Sequence, residues 1–260
     1  FSEGAVRVQS RKSGNGFIGF KNLKDEWIAK PQYDWAEPFS EGLACVTKED
    51  QFGELKHGFI NQEGKVVIDL IYSERPSNFL GGLSRVSPKD KTEFKEAYID
   101  KKGNIMVKFN QINEYKYMGD GLYLEKSKRK SLLNAEGHII PANEFLKTYG
   151  VTMDASKEKD LFIWDLSEVA KQNYIGKVRF RRSLKQSGAV LNSGFINIET
   201  KKVIEGRFTG TNLFVFDPVS RLATAQFFID KETGYKSKLR EGYINEDGIF
   251  VIVKGEKSKW

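Results

Sequence analysis

The chain has 260 residues, 39% of them hydrophobic and 30% charged, which excludes a disordered chain and fits an ordinary globular one. Its net charge of +7 comes from 42 basic and 35 acidic residues whose signs alternate along most of the chain, so the excess reads as a solvated basic surface and not as a specific nucleic-acid footprint. The single cysteine, Cys45, excludes an intrachain disulfide framework, and no apolar stretch is long enough for a transmembrane helix.

In chain order, the first feature is a motif already under way at Phe1-Ser2-Glu3-Gly4-Ala5-Val6-Arg7-Val8, with no initiator Met. A trimmed leader or upstream domain, and an extracytoplasmic setting, are the expectation from that start. The motif returns as Phe39-Ser40-Glu41-Gly42-Leu43-Ala44-Cys45-Val46 and as Phe79-Leu80-Gly81-Gly82-Leu83-Ser84-Arg85-Val86. Weaker copies are Gly119 to Leu124 and Arg221 to Ala225. A second motif follows each copy: Gly58-Phe59-Ile60-Asn61-Gln62-Glu63-Gly64, Ala97 to Gly103, Gly194 to Asn197, and Gly242 to Gly248. Degenerate forms are read at Gly16-Phe17-Ile18-Gly19 and Leu132 to Gly137. Two motifs repeating in the same order are the mark of a repeat architecture.

The second motif has the chemistry of a β-hairpin. Asn or Asp opens the turn by accepting bonds from the backbone just ahead of it, and Gly supplies a positive φ. The run after it, such as Val66-Val67-Ile68, returns as a strand. The Gly-Leu-Ala-x-Val run is an earlier strand, and a short fourth strand is expected near Pro31 to Asp34 and Leu70 to Tyr72. The predicted fold is therefore all-β, a tandem repeat of three- to four-stranded antiparallel units in one domain. The units fall at about 1–38, 39–78, 79–118, 119–172, 173–216 and 217–260. The fourth is oversized, with an insertion near 142–173 in which Asn143 to Lys147 and Ser167 to Lys171 each suit a short helix.

These motifs resemble those of the WG-repeat family, bacterial proteins made of tandem β units. Phe39 to Val46, Gly58 to Asn61 and Gly64 to Ile68 match its pattern best, and Pro31-Gln32-Tyr33-Asp34 supplies its Tyr-Asp pair. The chain departs from the pattern where His57, Ser193 and Glu241 stand in place of the Trp that names the family. The resemblance implies a β-rich repeat and a binding or interaction role, with no catalytic residues to carry over. Six such units fit a β-propeller-like ring or, alternatively, an open β-solenoid. The ends, Phe1 to Val8 and Ile249 to Val253, lack the polar character of an exposed cap, which favours the ring.

No catalytic constellation stands out. Two histidines, His57 and His138, read as exposed turn residues, and Cys45 reads as a buried structural thiol. With no ligand-spaced cluster, no metal or cofactor is expected. Among 35 acids no pair is marked for catalysis, Asp34 and Glu37 beside Trp35 being the least implausible. The candidate ligand-binding residues are Tyr33, Trp35 and Trp164, for the contact area of aromatic side chains, and Arg179 and Arg181, for charge interleaved with Phe180. The expected function is a non-enzymatic binding or scaffolding module recognising a protein or glycan through loops at one end of the repeats. A glycan- or peptide-acting hydrolase is the alternative.

Overall fold

The structure, a computed structural model, describes residues 1–10, 16–88, 91–128, 130–151, 158–165, 177–184, 192–197, 201–209, 222–229, 238–245 and 250–253. Within them lie six antiparallel sheets of three or four strands and one short helix. This is the all-β repeat expected from the motifs. The strands divide into two compact units, residues 1–114 with 135–138, and residues 115–134 with 139–260.

The first unit holds three sheets. The first is β1 (Ala5–Gln9), β2 (Ile18–Asn22) and β3 (Trp27–Tyr33). The second is β4 (Trp35–Ala36), β5 (Leu43–Glu49), β6 (Leu55–Asn61) and β7 (Val66–Tyr72). The third is β8 (Ser84–Val86), β9 (Glu96–Ile99) and β10 (Ile105–Phe109). Strand β5 is buried at five successive positions, Leu43 to Thr47, because both of its faces are covered. Ala44 and Val46, with Ile60, pack against Phe20, Ala29 and Tyr33 of the first sheet. Leu43 and Cys45, with Phe59, pack against Val86, Ala97 and Ile99 of the third. Period-two alternation thus sends alternate side chains into two different cores.

The hairpins follow the predicted turn chemistry. Asn61 Oδ1 accepts the amides of Glu63 and Lys65, and the Asn61 carbonyl accepts the amide of Gly64, whose φ is +76°. Asp100 repeats this with Lys102, Asn104 and Gly103. In the first sheet the same turn belongs to Asn22, with Asp25 at the positive-φ position. The second motif of the first repeat is therefore Gly19-Phe20-Lys21-Asn22, three residues beyond the stretch that looked like it, Gly16 to Gly19. The proof is steric. A Cβ on Gly58 would lie 2.5 Å from the Ile68 carbonyl oxygen, and a Cβ on Gly19 would lie 2.5 Å from that of Ala29. In both sheets the returning strand bulges beside the glycine, which lies between the pairs His57↔Tyr72 and Phe59↔Ile68, and between Ile18↔Tyr33 and Phe20↔Ala29. Ala97 has no such bulge opposite and pairs directly with Lys108.

Two further expectations are corrected. Residues 31–33 and 70–72 are the ends of β3 and β7, not separate strands. The fourth strand is β4, which precedes the Phe-Ser-Glu-Gly turn and pairs with β5 through Trp35↔Thr47 and Ala36↔Val46. The sheet that opens on β4 therefore starts a few residues before the motif that marks it in the sequence.

The second unit also holds three sheets. The first is β11 (Tyr115–Gly119), β12 (Leu122–Glu125), β13 (Ser131–Asn134) and β14 (Ile139–Pro141). Helix α1 (Ala142–Thr148) follows at once, as predicted, and buries Ala142, Phe145 and Leu146 against Met118, Leu124 and Leu132. The second predicted helix, at Ser167 to Lys171, lies outside the described residues. Within the stretch read as an insertion, residues 158–165 form β15 (Glu158–Asp165), the first strand of a sheet with β16 (Lys177–Leu184), β17 (Asn192–Asn197) and β18 (Val203–Thr209). Gly194 sits between the pairs Ser193↔Phe208 and Phe195↔Ile204, the bulge seen at Gly58. The last sheet is β19 (Ala223–Ile229), β20 (Lys238–Ile244) and β21 (Phe250–Val253).

Candidate functional site

The first motif supplies the turn that places β1 and β5, and it also links repeats. In Ser40-Glu41-Gly42-Leu43, Glu41 and Gly42 have φ of +54° and +86°, and Ser40 and Leu43 exchange backbone hydrogen bonds. This is the two-residue turn whose twist suits a hairpin. Ser2-Glu3-Gly4-Ala5 repeats it. A left-handed conformation is costly for a glutamate, and its compensation is visible. The Glu3 carboxylate accepts the amides of Glu41 and Gly42 at 2.6 and 2.8 Å, and the Glu41 carboxylate accepts those of Gly81 and Gly82 at 2.5 and 2.9 Å. The hydroxyls of Ser2 and Ser40 donate to the carbonyls of Phe39 and Phe79, each at 2.6 Å. Phe39 and Phe79 then insert edge-on against Phe20 and Phe59, with centroids 4.9 and 4.8 Å apart.

At the other end of β1 a cleft of about 610 Å³ opens, lined by Arg7, Gln9, Gly16, Ile18, Asp34, Trp35, Glu49 and Leu55. Trp35 is 39% exposed on β4 and is the aromatic floor of this site. The Arg7 and Arg75 guanidinium carbons lie 5.5 and 4.8 Å from its ring centroid. Arg7 also donates to the Ala36 carbonyl at 2.8 Å. Glu37 accepts from the Trp35 indole N–H at 3.2 Å and pairs with Arg75 at 3.5 Å. Asp34 accepts the Glu49 amide at 2.8 Å. The indole is thus held in one orientation beside two cations, with carboxylates at the rim.

Of the residues singled out from the sequence, Trp35 is at this site. Tyr33 is not: at 4% exposure it belongs to the core between the first two sheets, because its alternation on β3 points it inward, and burial raises its phenol pKa. Trp164 and Arg179 are directly opposed in the register of β15 and β16, as are Phe162 and Arg181, but the side chains of Trp164, Arg179 and Arg181 lie outside the described residues. Trp27, 42% exposed, carries Lys21 Nζ 4.7 Å from its ring centroid. Sequence reasoning missed Arg7 and Arg75. For Arg7 a signal existed: Arg7 and Arg85 stand at the position that Cys45 fills in the second copy, and a guanidinium in place of a core side chain calls for a partner. Arg85 meets Glu96 at 2.9 Å and Glu114 at 3.1 Å.

His57 is also corrected. It lies on β6, not in an exposed turn, and is buried with Nδ1 2.8 Å from Thr47 Oγ1. Burial lowers its pKa first, and the charges of Arg75 and Lys56 lower it further. His138 is exposed at the tip between β13 and β14, as expected. Cys45 is the buried thiol expected, its pKa pushed up to about 12 by burial and then by Glu37. It pairs across the ladder with Phe59, while His57 pairs with Thr47, so these two groups do not form a nucleophile and base. Among the described residues no three His, Cys, Asp or Glu side chains are grouped to hold a metal ion, and no helix is long and apolar enough to cross a membrane.

Comparison with curated protein sequences finds no match. Among solved structures, similarity extends to a eukaryotic initiation factor at 12% identity, covering 96% of this chain and 72% of that one with a TM-score of 0.38. An oligogalacturonate lyase from Vibrio parahaemolyticus is similar at 10% identity, 93% and 72% coverage, and a TM-score of 0.35. The WD40 domain of Toxoplasma gondii coronin gives 13%, 98%, 68% and 0.29. The repeat itself also finds a match. Residues 18–52 and 58–91 match the WG containing repeat, the first match starting one residue before Gly19 and the second at Gly58, and both running past the Phe-Ser-Glu-Gly type of turn, so the chain carries that repeat in these two stretches.

Proposed function

We propose that this β-repeat chain is a non-enzymatic binding or scaffolding module that recognises a protein or glycan through loops at one end of its repeats, with the cleft around Trp35 as the point of contact. The observation that carries this reading is the exposed indole fixed by Glu37 and flanked by Arg7 and Arg75. A rigid aromatic face offers contact area at little entropic cost, and the polar rim fixes orientation. The alternative, a hydrolase acting on a glycan or peptide, draws on Asp34 and Glu49, which line the same cleft. Against it, the Asp34 carboxylate is engaged by the Glu49 amide. Affinity capture and glycan arrays with the wild type and Trp35→Ala test the proposal. The expected result is a ligand retained by the wild type and lost, by roughly tenfold or more in affinity, in Trp35→Ala. Turnover of a glycan or peptide that Asp34→Asn abolishes would overturn it.

A further inference from the structure

The turn between β5 and β6 is built like three others among the described residues and differs from them at its tip. Asp50 Oδ1 accepts the amides of Phe52 and Glu54, and the Asp50 carbonyl accepts the amide of Gly53, whose φ is +81°. Asn22, Asn61 and Asp100 organise their turns in the same way. The residue two places on is Lys24, Glu63 or Lys102 in those turns and Phe52 in this one, where the ring is 79% exposed. The turn itself does not require an apolar side chain there, yet it holds this one out on a fixed backbone. A group fixed in this way loses little entropy on binding.

This hairpin tip stands at the rim of the cleft. Glu49 and Leu55 are directly paired below it, and both line the cleft with Trp35. Leu55 is half exposed, so Phe52, Leu55 and Trp35 give this end of the second sheet three exposed apolar groups. The acids lining the cleft, Asp34 and Glu49, outnumber its one cation, Arg7, which is turned to the Ala36 carbonyl and the Trp35 ring. Asp34 takes the Glu49 amide, and neither carboxylate is paired with a cationic side chain among the described residues.

We propose that this end of the second sheet docks a polypeptide segment that carries an apolar side chain beside a lysine or arginine. The apolar group packs on Phe52 and Leu55, and the cation meets Asp34 and Glu49. The assignment rests on the Trp35 cleft as the point of contact and selects a protein ligand over a glycan. A sugar needs polar partners for its hydroxyls around the ring it covers, and the amides of this tip are already taken by Asp50. An apolar side chain needs none, and exposed aromatic anchors are what protein interfaces bury. A membrane surface is disfavoured, because Glu49, Asp50 and Glu54 beside the ring repel anionic headgroups.

Random peptides displayed on phage and selected on the wild-type chain test this. The enriched peptides should pair an apolar residue with lysine or arginine. Phe52→Ser, which keeps the Asp50 turn and should leave the urea midpoint unchanged, should weaken synthetic copies of them by roughly tenfold or more. Glu49→Gln should weaken them less, with a difference that shrinks at high salt. Peptides that bind Phe52→Ser as tightly as the wild type, enriched peptides without a basic residue, or no enriched peptide at all would overturn the proposal. So would Phe52-dependent binding to vesicles containing phosphatidylserine. A glycan lost in Trp35→Ala and kept in Phe52→Ser also overturns it while leaving the Trp35 reading intact, whereas glycan and peptide binding that both survive Trp35→Ala defeat that reading as well.

Discussion

The turns Ser40–Leu43 and Leu80–Leu83 share one backbone and differ in what they can hand on. Both place two positive-φ residues between bridged partners, and both follow a buried phenylalanine. Both receive a carboxylate from the turn before. Only the first passes one forward, because Leu80 and Gly81 stand where Ser40 and Glu41 stood. A two-residue change therefore separates a turn that joins repeats from one that only terminates a strand pair. The lesson is that a repeat motif carries two kinds of information, local geometry and linkage, and the second can be lost while the first persists.

The largest effect expected on this comparison is in the aromatic wedge. Phe79→Ala empties a fully buried, edge-packed site and should cost about 3–5 kcal/mol in urea unfolding. Phe1→Ala, at the same motif position but 80% exposed, should stay within about 0.5 kcal/mol. Next is Gly58→Ala, whose new methyl meets the Ile68 carbonyl and should cost about 1–3 kcal/mol. Its equivalent Ala97 already carries that methyl, because β10 has no bulge opposite it, so equal tolerance at 58 would break the steric account.

A smaller effect should appear with pH. His57 has a folded pKa below its unfolded value of 6.5, so the unfolded chain binds the proton more readily. Stability from this group is complete above 6.5 and is lost as pH falls below it toward the folded value. Unfolding curves from pH 7.5 to 5 should show that loss in the wild type and a flatter profile in His57→Gln.

Much of this architecture is legible in the sequence. Asn61, Gly64, Asp100 and Gly103 announce their turns because few other residues satisfy those backbone positions. The small antiparallel sheets and helix α1 followed from spacing and local pattern. The phase of the sheets did not, since β4 is two residues long and is defined only by its pairing with β5. His57 and Tyr33 were misplaced for a related reason: β6 and β3 continue past the point where their polar residues suggest a turn or a surface, and a sheet covered on both faces hides the polar members too. At the candidate site Trp35 was legible as an aromatic, but the approach of Arg7 and Arg75 joins residues distant in sequence. The Ser–Glu linkage sat inside the most visible motif and was still hidden, because its partners are 37 to 41 residues apart.

That linkage is tested most directly by amide hydrogen exchange in the wild type and Glu41→Gln. The account predicts slow exchange at Glu41, Gly42, Gly81 and Gly82 in the wild type. In the variant, exchange should speed up by roughly tenfold or more at Gly81 and Gly82 alone. Unchanged protection at those two glycines, or an equal loss at Glu41 and Gly42, would contradict a head-to-tail chain of carboxylates between repeats.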